Sequence, residues 1–123
     1  MSFADGSFLF REGQPAEKFF LILEGKVSLE TAAPGSGAIV VQTIGSGEVA
    51  GFSWLLEPHQ WEFDGRAVGT VRAIGLDGAR LREECDKDPA LGYELMRRFA
   101  RLATRRMQAA RIRLLDVYGR AHA

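Results

Sequence analysis

The sequence predicts a mostly β fold, an antiparallel double-stranded β-helix or jelly roll of about eight strands, followed by a short helix and a long one. Three observations carry this expectation. Short β-rich runs separated by glycine turns fill residues 3–74. The apolar period changes from strand-like to helical after Asp77. A length of 123 residues suits one domain with one core, read here as residues 1–119.

Taken in order, Phe8-Leu9-Phe10, Phe19 to Leu23, Lys26 to Thr31 and Ala38 to Ile44 are short runs rich in aromatic and branched residues. Gly6, Arg11 to Pro15, Glu24-Gly25 and Ala33 to Gly37 separate them and read as turns. Turns at roughly eight- to twelve-residue spacing indicate a sandwich or barrel. Gly45, Gly47 and Gly51 then open into a helix-like run, Phe52 to Leu56. Backbone N–H groups at such a start are unpaired and suit an anion. A long loop with Pro58, Trp61 and Phe63 follows, then a strand ending in Gly69-Thr70-Val71-Arg72-Ala73. Residues 1–76 are thus assigned to the β part, with 45–73 as its candidate binding segment. Residues 77–119 form the helical part and 120–123 a tail.

Asp77 is placed to cap a short helix from Gly78 to about Cys85, and Asp88-Pro89 to start the long one. The long helix reads from Ala90 to Tyr118, ended by Gly119. It carries two apolar stripes. Leu91, Leu95, Phe99 and Leu102 would pack on the sheet. Met96, Ala100, Ala103, Met107, Ala110, Leu114 and Val117 step by alternating fours and threes, a heptad seam. One packed domain uses the first stripe alone, so the second is expected to meet a partner, most simply a second copy of the chain.

Charge is unevenly placed. Residues 1–96 carry 8 Lys and Arg against 15 Asp and Glu, a net of −7, and residues 97–123 carry 8 Arg against Asp116, a net of +7. The basic end is either a surface for nucleic acid or membrane or the solvated flanks of an interacting helix, and the seam favours the latter. No apolar run approaches the roughly 18 residues of a membrane span. The first residues lack a secretory pattern, and a single cysteine, Cys85, makes no internal disulfide, so a cytoplasmic location is expected. His59 and His122 are isolated, without metal-ligand spacing, and Ser46 and Ser53 have no neighbouring His/Asp set. No catalytic residue, no metal site and no enzymatic activity are expected.

The segment GEVAGFSWLLEPHQWEFDGRAVGTVRA, with FLFREGQPAEKFFLILEGKVSL before it, resembles the cyclic nucleotide-binding domain family. That family includes the sensor halves of CRP/FNR-type bacterial transcription factors and the regulatory subunits of cyclic-AMP-dependent kinase. Its phosphate-binding cassette usually reads G-E-[L/I]-[A/G]-x-[L/I], then R-x-A-[T/S]-V. There the Glu takes the ribose hydroxyl and the Arg pairs with the cyclic phosphate. Alignment on Gly51 puts Phe52 at the Glu position, and alignment on Thr70-Val71 puts Ala67 at the Arg position. Arg66 is one residue away, on the opposite face of a strand.

The resemblance implies a small anionic or nucleotide ligand such as cyclic AMP, contacted by Gly51, Phe52, Ser53, Trp54, Arg66, Ala67, Val68 and Thr70. It also implies pairing through the long helix, and Leu114 to Arg120 resembles the hinge into a winged helix-turn-helix. Only Ala121-His122-Ala123 follow, so direct nucleic-acid binding by this chain is not expected; the usual first helix is also missing, as in a trimmed chain. Without the two charged groups, a bidentate charge-assisted pair is lost. The expected function is a sensor or regulatory domain with weak or lost cyclic-nucleotide affinity, signalling through a dimerising helix. The alternatives are a ligand-free interaction module, with Trp54, Trp61 or Phe63 filling the pocket, and the sensor half of a transcription regulator. Cofactors are expected to be none beyond such a nucleotide.

Overall fold

Two long strands set the frame, and each runs through a point where the sequence suggested a break. A computed structural model describes residues 1–35, 37–55 and 57–122; the side chains of Ala33, Ala110, Arg113, Leu114 and 116–122 lie outside that description. Six strands form one antiparallel sheet: β1 Ser2–Phe3, β2 Phe8–Phe10, β3 Lys18–Ala33, β4 Gly37–Ile44, β5 Val49–Ala50 and β6 Asp64–Asp77. Their order is β1-β6-β3-β4, with β2 also on β6 and β5 also on β3. The fold is the expected jelly roll, with six strands among the described residues in place of about eight.

The expected strands Phe19 to Leu23 and Lys26 to Thr31 are one strand, because Glu24-Gly25 forms a bulge and not a turn. Phe20 and Ile22 face the core before it, and Val27 and Leu29 after it, so the phase of alternation changes across Gly25. Gly25 has φ 92°, and a Cβ there would lie 2.5 Å from the Thr70 carbonyl oxygen of β6. Only glycine allows the two backbones this approach. The last strand likewise continues past Ala73 to Asp77, because Phe19↔Leu76 and Lys18↔Asp77 extend its ladder with β3.

The core lies between the rolled faces and gathers Phe10, Phe20, Ile22, Val27, Leu29, Ile44, Trp61, Ala67 and Val71, with Phe3 and Phe63 at its margin. Along β6 the inward Gly65, Ala67, Val71 and Ala73 are flanked by outward residues, whereas β3 is buried on both faces at Phe19-Phe20 and from Val27 to Glu30.

Helix α1 spans Gly78–Lys87 and α2 spans Pro89–His122. Asp77 Oδ1 accepts the Arg80 N–H at 3.0 Å and Asp88 Oδ1 the Leu91 N–H at 3.2 Å, so both expected caps form. Cys85 lies in α1 and is half-buried. Helix α2 runs past Gly119 to His122, beyond the expected end. Its backbone hydrogen bonds continue there, since a glycine only weakens a helix, by about 1 kcal/mol. The chain divides into two compact units, Met1–Glu83 and Glu84–Ala123. No helix is long and apolar enough to cross a membrane.

Candidate functional site

The glycine turn is held by the middle of β3. The Gly47 N–H donates to the Ile22 carbonyl at 2.8 Å, the Ile22 N–H to the Glu48 carbonyl at 3.0 Å, and Ser46 Oγ to the Leu23 carbonyl at 2.7 Å. These bonds accompany the pairing of β5 with β3, Phe20↔Ala50 and Leu21↔Val49, which sets Gly51 beside Phe19 and Trp61. The helix-like run expected at Phe52 to Leu56 is a turn over Ser53–Leu55, closed by the Leu55 N–H on the Phe52 carbonyl at 3.0 Å; Leu56 lies outside the described residues. A single turn aligns few peptide dipoles, so no helix start that would favour an anion is formed among the described residues here.

Trp61 takes the space beside Gly51. Residues 59–61 pair with 13–16: the Gly13 N–H donates to the Trp61 carbonyl at 2.8 Å and the Trp61 N–H to the Gln14 carbonyl at 3.0 Å. The Ala16 N–H donates to the His59 carbonyl at 2.7 Å. This short ladder turns the indole inward. It stacks on Phe10 with centroids 3.9 Å apart and planes 10° apart, and only 7% of the residue is exposed. Gly51 has φ 105°, and a Cβ on it would lie 2.5 Å from Trp61 Cζ3. So this glycine is required by the indole as well as by its own conformation.

Trp54 is fully buried, stacked on Phe19 at 4.8 Å and lying over Gly78 at the start of α1, where a Cβ would meet its ring. Arg82 Nη1 donates to the Trp54 carbonyl oxygen. Phe52 and Ser53 are half-buried.

The two neighbours on β6 diverge. Ala67 pairs in register with Val27, is 2% exposed and belongs to the core. Arg66 faces the other side. Its Nε and Nη2 both reach Glu30 Oε2 at 3.0 Å, and that carboxylate is almost wholly buried. Arg66 is therefore engaged away from the core face, because adjacent strand residues point to opposite sides. Val68 and Thr70 are exposed. Thus the structure brings Gly51 and Ala67 to the core side and does not bring Arg66 there. Trp61 abuts Gly51, and neither Phe52 nor Ala67 supplies a charge toward a cyclic phosphate or a ribose.

Glu30 as the partner of Arg66, and Phe10 as the partner of Trp61, went unseen in the sequence. Each pair lies on distant segments, and no local pattern signals it. Near the loop ladder, Leu9, Phe10, Gln14, Lys18 and Trp61 border an open hollow of about 190 Å³.

In the second unit, Phe99 is buried and Leu95 and Leu102 are half-buried, while Leu91 is exposed. On the other stripe Met96, Ala100, Ala103 and Met107 are exposed, Met107 by 72%. Ala110, Leu114 and Val117 lie outside the described side chains. Glu94 pairs with Arg98 at 3.2 Å and with Arg97 at 3.7 Å.

Comparison with known proteins agrees with this architecture. The family model for the cyclic nucleotide-binding domain matches residues 1–88. A CRP-like cAMP-activated global transcriptional regulator of Mycobacterium tuberculosis is 26% identical over 101 residues, covering 82% of this chain and 45% of that protein. A Geobacter metallireducens protein assigned as cyclic nucleotide-binding superposes with a TM-score of 0.78 at 34% identity, covering 87% of this chain and 76% of that one. The N-terminal domain of a transcriptional regulator from Streptomyces coelicolor gives 0.69 at 27% identity, covering 89% and 76%. The chain spans less than half the length of the curated relatives it matches. With its rolled sheet, glycine turn and two C-terminal helices, the chain belongs to the cyclic nucleotide-binding domain family and is similar to the CRP-type transcription regulators.

Proposed function

We propose that this chain is a regulatory domain of the CRP type in which its own aromatic side chains occupy the nucleotide's place. Its affinity for cyclic AMP is weak or lost, and it acts as a homodimer through α2. The observation that carries the reading is Trp61, seated against Gly51 and stacked on Phe10. The pairing of Arg66 with Glu30 supports it, since a ligand phosphate would have to compete with a buried carboxylate for that guanidinium. In this reading the glycine turn serves the fold and not a phosphate. The domain carries no catalysis of its own, in keeping with the regulator named among its relatives.

Titration calorimetry with cyclic AMP is expected to give a Kd in the millimolar range or weaker, about −4 kcal/mol or less in magnitude. A low-micromolar constant would overturn the proposal. The helix provides the second test. Met96 and Met107 leave an apolar stripe in water on a single chain. Sedimentation should show a dimer that Met107→Glu weakens by about tenfold or more, because a carboxylate on the seam must be desolvated. Arg98→Glu lies off the seam and should leave the dimer intact. A dimer indifferent to Met107→Glu would place the interface elsewhere.

A further inference from the structure

Helix α2 carries a further line of residues that the buried Phe99 stripe and the seam both leave out. Arg98, Arg101, Arg105, Gln108, Ile112 and Leu115 follow one another by 3, 4, 3, 4 and 3 residues, the spacing of one face of a coiled-coil helix. All six are exposed, Ile112 by 67% and Leu115 by 58%. At about 100° per residue, the line lies roughly 160° around the helix from the Met96-to-Val117 seam. A pairing of two chains through the seam therefore leaves it open.

The chemistry changes along this line. Its first half is cationic. Arg98 meets Glu94 at 3.2 Å, whereas among the described residues Arg101 and Arg105 form no ion pair. No acid lies between Glu94 and Asp116, a span that holds seven arginines. The second half is apolar at Ile112 and Leu115. A partner seated along the whole line must therefore offer anions at one end and apolar side chains at the other. Arginine suits such a contact, since its stem packs on apolar neighbours while the guanidinium takes a carboxylate in two hydrogen bonds.

We infer that this line docks an acidic amphipathic helix of another protein. The 3-4 spacing asks for a helix, because a helix repeats its contacts at that period. Nucleic acid would answer the arginines but leave Ile112 and Leu115 against phosphate and sugar. A lipid surface calls for an apolar face along much of a helix, and this line has one apolar turn. Charge excludes the helices of a second copy. In a parallel pair of these lines arginines would face arginines, and in an antiparallel pair they would face Ile112 and Leu115, with no carboxylate to meet. Helix α1 carries three cations and three acids, so it has no acidic surplus. The acids ahead of Gly78 lie on strands, turns and loops, which do not present a helical period.

Fluorescence anisotropy with labelled synthetic helices of about three heptads tests this. One peptide carries Glu and then Leu at its core positions and another Leu and then Glu, one for each helix direction. At least one should bind the full chain with a Kd of about 10–100 μM. Arg101→Glu combined with Arg105→Glu should weaken that binding by about tenfold or more, and so should Leu115→Ser. A peptide with Lys in place of Glu should reverse the preference, binding the doubly reversed chain and not the wild type. Thermal melts of these variants should match the wild type because the substituted side chains are exposed. Equal wild-type affinity for the Glu and Lys peptides would overturn the inference with no substitution in the chain, and so would failure of both Glu peptides to bind. A short DNA duplex or phosphatidylserine vesicles, bound more tightly than either peptide and indifferent to Leu115→Ser, would make the face a general polyanion surface and overturn it too. Met107→Glu should leave peptide affinity unchanged, so a failed seam and a failed docking line are told apart.

Discussion

Replacing Phe52 by Glu and Ala67 by Arg, the two charges that a phosphate cassette of this family would supply, is expected to unfold the roll and not to create a nucleotide site. Ala67 is 2% exposed and opposite Val27 inside the apolar cluster. Among the described residues no native carboxylate lies on the core side to meet a guanidinium there, since Glu30 lies on the opposite face with Arg66. The expected loss in the double variant is about 4 kcal/mol or more, the range reached when an unpaired charge enters a core. Urea unfolding measures the loss, and calorimetry with cyclic AMP should show no gain in binding. Trp61→Ala separates the causes. It should cost about 3–5 kcal/mol through the cavity left beside Phe10. A stable double variant with low-micromolar affinity would show that the indole leaves the space readily, and the aromatic-fill reading would fall.

A second large effect is expected at Gly25. A Cβ there would sit 2.5 Å from the Thr70 carbonyl oxygen and 3.1 Å from Val71 Cα, both backbone atoms of β6 that cannot rotate away. With φ at 92°, the substitution adds conformational strain to the clash. Gly25→Ala should therefore lower stability by about 3 kcal/mol or more. Gly13→Ala is the control, because Gly13 has a similar φ of 86° but nothing within 4 Å of its built Cβ. Its cost should be about 1 kcal/mol, from conformation alone. Equal losses at the two positions, read by chemical denaturation, would show that the β3–β6 approach is not what constrains Gly25.

The sequence made the β part legible through its punctuation. Arg11 to Pro15 separates β2 from β3 as read, and the turn read at Ala33 to Gly37 lies between β3 and β4, which run into its first and last residues, whereas the Gly45-Gly47 turn leads into the short strand β5 and not directly into a helix-like run. Glu24-Gly25 did not separate strands, because glycine permits positive φ in a bulge as readily as in a turn, and only the partner strand decides which. The candidate site was legible as a segment but not as a pocket. Gly51 and Trp61 both stood out, yet their contact rests on a ladder between residues 13–16 and 59–61 that no local pattern announces.

By itself, the sequence determined what depends on neighbours along the chain. The change of period after Asp77 and the Asp77 and Asp88 caps act within a few residues, so they were readable and both caps form. The tertiary structure alone decided which side each residue faces and what meets it there. Register with β3 turned Ala67 into the core and Arg66 toward Glu30, a difference of one residue along β6. A separate long-range ladder, between residues 13–16 and 59–61, carried Trp61 against Gly51 and Phe10. These outcomes rest on contacts between segments far apart in the chain, whose energies no single stretch contains.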